Sequence, residues 1–383
     1  MKPSTTEGIH LPQRLTQARE AAGLSLAEAT RKLRFNHYQI LSAIEKGTRN
    51  INANELIAMA RLYGRSLDFF FESKVPADPI VLWRRMTGID IRNEQRQFLT
   101  FLEHYSNLEN LLGLKRRWKK IQSTLDRDDF SGNGFETCNN LAVDLHKHLD
   151  LGSRPACNLL NILENTLRFK IIHLDLGEAV SGASLVDITL GVGVLINAHD
   201  APWRRNFDLA HELFHIVTWN IFSREEIGDG SQKTMPERYA DSFAASLLLP
   251  KEHLLDALKE IAVKNELKLV DIIELAKAFG VSSEAVLWRL VNLKVIKKSQ
   301  ADKILSAPEF RNLDRNLRRG LYMEQMPDKF PQRFISLACR CLMEGKISRG
   351  VFAEYMEIDR SEIDDYLSDA GYAVKNYEKI ASA

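Results

Sequence analysis

The chain is poor in cysteine, in net charge and in long apolar runs. Only four cysteines (Cys138, Cys157, Cys339, Cys341) occur in 383 residues, none in a C-x-x-C pair, which argues against a disulfide framework and predicts reduced, buried thiols. No stretch approaches the roughly 18 apolar residues of a membrane span, and the opening Met1 to Glu7 is too polar for a secretory signal. A cytoplasmic protein without a membrane partner is the expectation. The 52 Lys and Arg against 51 Asp and Glu leave a charge of +1, so any basic surface for nucleic acid must be local. What is present is 45% apolar and 27% charged residues, a composition for two or three globular domains and not for disorder.

From Leu11 to Lys74 the pattern predicts short helices with tight breaks: one ending at Gly23, one from Ser25 through Leu33, one ending at Gly47 and one from Ile51 to Tyr63 stopped by Gly64. This stretch holds 10 Lys and Arg against 6 Asp and Glu, mildly the right sign for phosphates. Val75-Pro76-Ala77-Asp78-Pro79 should interrupt helix and mark a linker. Asn93 to about Gln122 reads as helix with a basic end, Lys115 to Lys120, best taken as a solvated helix terminus. Two β-like runs, 169–174 and 193–197, flank Ser181-Gly182-Ala183-Ser184 and predict a small sheet, and from Phe207 onward the pattern is almost wholly helical. The expected class is mostly α with a small sheet (α+β). Its parts are a helical module at 8–74, a helical linker region at 75–135, a mixed domain at 136–297 and a helical C-terminal region at 298–383, for sensing or dimerisation.

His211-Glu212-Leu213-Phe214-His215 carries the chemistry. On a helix, residues four apart share a face, so both imidazoles can reach one Zn²⁺, while Glu212 beside them can take a proton from water. Composition gives roughly 0.03 chance occurrences of this pattern in a chain of this length. Downstream, Glu237, Asp241, Ala244 and Leu248 step by four, three and four, placing two acids on a helix face with apolar residues. Buried carboxylates must be paired or bound to metal. Glu237 therefore supplies a third zinc ligand, and Asp241 can fix a ligating histidine's tautomer. The alternatives are a capping box from Thr234 to Glu237, and for Asp241 a plain surface acid or salt-bridge partner.

Arg205 to His215, then Glu237 to Ala244 with its Leu-Leu-Leu-Pro ending, resemble the ImmA/IrrE zinc metallopeptidases fused to an XRE-type helix-turn-helix. Leu275 to Ser282, Arg289-Leu290, Asn197 and Ser181 to Ser184 also fit, so the likeness covers roughly Leu11 to Ile296. The resemblance implies a gluzincin-like site, with His211, His215 and Glu237 on Zn²⁺ and Glu212 as general base. It leaves open whether Tyr239 or Arg238 stabilises the oxyanion. It further implies a narrow endopeptidase whose protein substrate is a helix-turn-helix repressor encoded nearby, switching on a stress, mobile-element or phage-defence response.

The N-terminal module resembles the XRE type, which places Asn36, His37, Tyr38 and Gln39 at the start of a recognition helix, with Lys46 and Arg49 near phosphates of operator DNA. Its turn is one residue longer than usual, and Leu26 stands where a glutamine often contacts DNA. Protein binding or homodimer formation is thus the alternative for this module. For the whole chain, the alternatives are a transcriptional regulator whose peptidase-like domain senses a ligand, and a toxin of a toxin-antitoxin pair.

Overall fold

The computed structural model describes residues 11–71, 80–85, 90–114, 125–228, 233–261, 267–322 and 326–372, apart from 23, 64, 66 and 179. The expected linker at Val75 to Pro79, the basic cluster at Lys115 to Lys120, the helix stops Gly23 and Gly64, Asp229-Gly230 and the tail after 372 lie outside them. The chain divides into two compact units, Met1–Ile80 with Asp90–Asn110, and Val81–Ile89 with Leu111–Ala383.

In the first unit, α1 (Leu11–Ala21), α2 (Leu26–Lys32), α3 (Tyr38–Glu45), α4 (Ala53–Tyr63) and α5 (Leu67–Phe71) follow the expected sequence of helices. Ser25 caps α2 through a reciprocal capping box with Glu28, which satisfies two free N–H groups of the first turn. Leu15, Leu41, Ile44, Met59, Tyr63 and Phe70 anchor a small core, and Leu26 packs against it. The longer α6 (Arg92–Leu111) is tied to this unit by an ion pair between Arg65 and Glu103. It stops well short of the expected Gln122, and Gly113 beyond its end takes the left-handed conformation, φ 65°.

The second unit is built on a four-stranded sheet, β1 (Val81–Arg85), β2 (Lys170–Leu174), β3 (Val180–Asp187) and β4 (Gly191–Asn197), in the order β1-β3-β4-β2. β3 runs antiparallel to both β1 and β4, and β2 runs parallel to β4. Asp187 turns the β3–β4 hairpin by accepting from the N–H groups of Thr189 and Leu190, at 2.6 and 2.7 Å. The expected β-runs are β2 and β4, and Ser181 to Ser184 falls in β3.

β1 corrects the reading of 75–135 as a helical linker. That stretch is shared out: β1 joins the sheet, α6 belongs to the first unit, and Phe130 joins the core of the second. Val81-Leu82-Trp83 is too short for periodicity to identify, and its partner strand lies about a hundred residues on.

α9 (Pro202–Val217) packs on β3 and β4; α8 (Pro155–Asn161) and α11 (Met235–Leu248) pack against α9, and α7 (Gly134–His148) and the short α10 (Arg224–Ile227) against α11. Behind them follow α12 (Lys251–Ile261), α13 (Leu269–Phe279), α14 (Ser283–Asn292), α15 (Lys298–Ser306) and α16 (Pro308–Tyr322). Val194, Ile196, Leu213, Phe214, Phe243 and Leu247 form the centre of one continuous core. Ala301 and Phe310 of α15 and α16 join that same core, so the region from 298 is not wholly a separate body. The chain closes with α17 (Gln332–Met343), α18 (Arg349–Met356) and α19 (Ile363–Asp369). Three of the cysteines are buried as expected, but Cys157 lies on the outer face of α8 and is exposed. Among the described residues no helix is long and apolar enough to cross a membrane.

Candidate metal centre

α9 starts at Pro202, whose fixed φ and missing N–H suit a first helical turn. Its approach is set by the fully buried Asn197 at the end of β4. The Asn197 amide donates to the carbonyls of Gly177 and Val180 at 2.6 and 2.9 Å, and its oxygen accepts from the N–H groups of Leu176 and His199 at 3.1 and 3.0 Å. From Asp208 to Ile216 every residue of α9 is buried. A helix enclosed all round must find partners for its polar side chains inside the protein.

His211 and His215 turn their Nε2 atoms toward each other, 3.1 Å apart. Glu237, in the first turn of α11, completes the group: its Oε2 lies 3.3 Å from His211 Nε2 and its Oε1 3.1 Å from His215 Nε2. Tetrahedral ligation at about 2.0–2.1 Å sets ligand atoms about 3.3 Å apart, so this donor set fits a zinc-sized cation. The capping-box alternative is not taken. Thr234 donates its hydroxyl to the carbonyl of Ile227 at 2.9 Å, which leaves the Glu237 carboxylate with the histidines.

His211 Nδ1 lies 2.9 Å from Asp241 Oδ1. Donation to that carboxylate puts the ring proton on Nδ1 and leaves a lone pair on Nε2, the tautomer a metal needs. Lys233 pairs with the other Asp241 oxygen. Burial opposes charge on Glu237 and Asp241, but hydrogen bonds with the histidines outweigh it, holding Glu237 well below the usual carboxylate range and Asp241 at about 2. Burial and Arg84 oppose a proton on His211, yet Asp241 and Glu237 raise it to about 9, so a cation bound at Nε2 would take the place of a proton shared with Glu237. The pocket is electrostatically built to hold positive charge at the meeting point of its three donors.

Glu212 is only 1% exposed and lies over β3. A Cβ at Gly182 would stand 3.6 Å from Glu212 Oε1 and 2.8 Å from the Leu195 carbonyl oxygen, so only glycine lets the strand pass this close. Two neighbours of the site escaped the sequence reading. Asp208, one turn before His211, is buried and pairs with Arg84 of β1, whose guanidinium also lies 3.5 Å from Asp241. The i−3 spacing of Asp208 from His211 was a usable signal; nothing local marks Arg84. Tyr239, a candidate for the oxyanion, is packed among Phe130, Phe135 and Phe222, and Arg238 is exposed.

The candidate DNA contacts are placed quite differently. Asn36, His37, Tyr38, Gln39, Lys46 and Arg49 are all exposed, on or beside α3, and Tyr38 opens that helix with 57% of its surface accessible. Arg49 is not free: it donates to Glu55 at 2.7 Å.

A group of two histidines and one carboxylate that could hold a cation, with a buried glutamate beside it and a small sheet beneath, is the arrangement of a metallopeptidase-like domain. In this chain it follows a helix-turn-helix module. Residues 166–291 match the family model Peptidase_M78, an IrrE N-terminal-like domain, and residues 15–70 match HTH_3, a helix-turn-helix. The chain is thus similar to XRE-type helix-turn-helix modules over its first segment and, further on, to the ImmA/IrrE peptidase family, whose members are typically metal-dependent. No curated protein and no solved structure matches it.

Proposed function

We propose that this protein is a cytoplasmic zinc-dependent endopeptidase acting on a partner protein, with a helix-turn-helix module that brings it to operator DNA or to its target. The observation that carries the reading is the meeting of His211, His215 and Glu237, whose donor atoms all lie within 4.8 Å of one another. His211, His215 and Glu237 would hold Zn²⁺, with Asp241 fixing the His211 ring. A zinc ion there supplies Lewis acidity, which acidifies water and polarises a carbonyl. Glu212 accepts the proton from the attacking water and returns it to the leaving amine, so that the peptide bond breaks without a free hydroxide or amide anion. Burial of Glu212 against Gly182 keeps its carboxylate at one distance from a substrate backbone passing along β3.

The substrate class is a helix-turn-helix repressor encoded nearby, and its cleavage would release a stress, mobile-element or phage-defence response. Exposure of Asn36, His37, Tyr38, Gln39 and Lys46 supports groove contact by α3. Metal analysis of the purified chain tests the reading: about one zinc per chain is expected, lost in His215→Ala. Glu212→Gln should keep the zinc while hydrolysis falls by about 10²- to 10⁴-fold. Full cleavage by that variant, or a chain that takes up no zinc, would remove the proposal.

A further inference from the structure

The β1 strand stands apart from the rest of its sheet. β2, β3 and β4 lie within the span 166–291 that matches the peptidase family, whereas β1 comes from residues 81–85, some eighty residues before it. Without β1, β3 would be an open edge, and an open edge is a template for an extended peptide.

That edge is the one beside the candidate base. Arg84 of β1 pairs in register with Gly182, where a Cβ would meet the Leu195 carbonyl oxygen at 2.8 Å and would come into van der Waals contact with Glu212. Adjacent strands lie about 4.8 Å apart, so the β1 backbone runs where a peptide bond must lie to be reached from Glu212. Its one described basic side chain is aimed accordingly. The Arg84 guanidinium pairs with Asp208, lies 3.5 Å from Asp241, and feels Glu212 and Glu237 as well. The ladder is short, five residues, with a register shift between Arg84 and Arg85. β1 is held by this ladder, by the buried Val81 and Leu82 and by the Arg84 ion pairs, all within five residues of an edge strand, which a competing strand of the same pattern can replace.

We infer that β1 is a resident occupant of the substrate berth along β3, and that the segment taking its place is an extended peptide bearing a basic side chain opposite Gly182, where it replaces Arg84 between Asp208 and Asp241. This rests on the peptidase reading for its consequence, but the occupancy of the edge can be tested without hydrolysis. While β1 is seated, the site is closed to other chains, and access requires a competing strand or a pull on the segment that carries residues 81–85.

The test uses the full-length, zinc-loaded protein and hydrogen exchange read by mass spectrometry. Trp83→Pro fixes φ and sets a ring in the middle of β1, which disfavours its pairing with β3. Exchange in 180–187 should rise at least tenfold, while 207–217 and 235–248 keep their protection and the zinc stoichiometry holds. Arg84→Glu, which sets a negative charge among the acids with the β1 backbone intact, should do the same. A synthetic peptide of residues 80–85 added to Trp83→Pro should restore protection of 180–187, and the same peptide with Arg84→Glu should need at least ten times the concentration. Loss of protection in all three segments together would overturn the inference, because β1 would then be part of the core. So would a peptide that leaves 180–187 unprotected at millimolar concentration. Hydrolysis of the helix-turn-helix repressor encoded beside the gene should rise at least tenfold in Trp83→Pro over the parent chain, and equal rates would count against the occupant. Absence of hydrolysis in both, with zinc bound, would sink the peptidase reading and leave the exchange result to decide the strand.

Discussion

In the helix-turn-helix unit the Arg19 guanidinium meets Glu45 through two hydrogen bonds, 2.8 and 2.9 Å, and donates a third to the Leu24 carbonyl at 2.9 Å. Both partners are nearly enclosed, with side chains 9% and 6% exposed. In the second unit His211, His215 and Glu237 are also gathered inside, but their acceptors converge on one point and on each other. One cluster is complete as it stands. The other gathers its donors around a point that a cation could fill. Buried charge that closes on itself serves the fold, and buried charge left converging marks a site. The same contrast explains why the candidate DNA contacts are harder to read: Tyr38 and its neighbours are exposed, and no fold contact gathers them.

The sharpest way to break the comparison is to open the closed cluster. Glu45→Ala strands a buried guanidinium and should destabilise the chain by about 3 kcal/mol in urea unfolding, with zinc content unchanged. A loss below about 1 kcal/mol would mean that water already screens the pair. Next comes the converging cluster. Asp241→Ala removes the acceptor that holds His211 and should weaken zinc binding by about 10- to 100-fold in competition with a chromophoric chelator, while leaving stability of the first unit alone.

Each unit also holds a neutral histidine, which gives a matched pair of smaller effects. Burial pushes His104 of α6 down to about 4, and burial with help from Arg205 does the same to His173 of β2. The unfolded chain takes up these protons near pH 6.5 and the folded chain only near 4. Stability present at neutral pH is therefore lost as pH falls between those values. His104→Gln and His173→Gln should each remove about 1–2 kcal/mol of that loss, read as a flatter profile of thermal unfolding between pH 7 and 4.5. The smallest changes belong to the exposed face. Tyr38→Ala should leave stability within about 0.5 kcal/mol and weaken gel-shift binding to the protein's own promoter about tenfold. Arg49→Ala, already engaged with Glu55, should change that binding about twofold. Equal binding by all three chains would turn the module toward a protein partner.

How far the sequence could be read follows from the range of the forces involved. Helices α1 to α4, α9 and α11 were legible because apolar periodicity and glycine stops act within a few residues, as in the helix expected from Ser25 through Leu33 and the steps of four, three and four from Glu237 to Leu248. His211 and His215 needed only one helical turn to be recognised as a pair. Glu237 needed the argument that a carboxylate on an inward face must be matched. β1 and Arg84 offered no such handle, since a five-residue strand gains its meaning from a partner about a hundred residues away.

What the sequence determined by itself was the kind of chemistry and the helices that carry it, because residue type and spacing fix both locally. Tertiary structure alone decided which acids face the histidines, that Thr234 turns to Ile227 and frees Glu237, and that Arg84 comes to lie between Asp208 and Asp241. Those outcomes depend on strand pairing and helix packing across long stretches of chain, where the balance among many weak contacts, and not any one residue's preference, selects the neighbours.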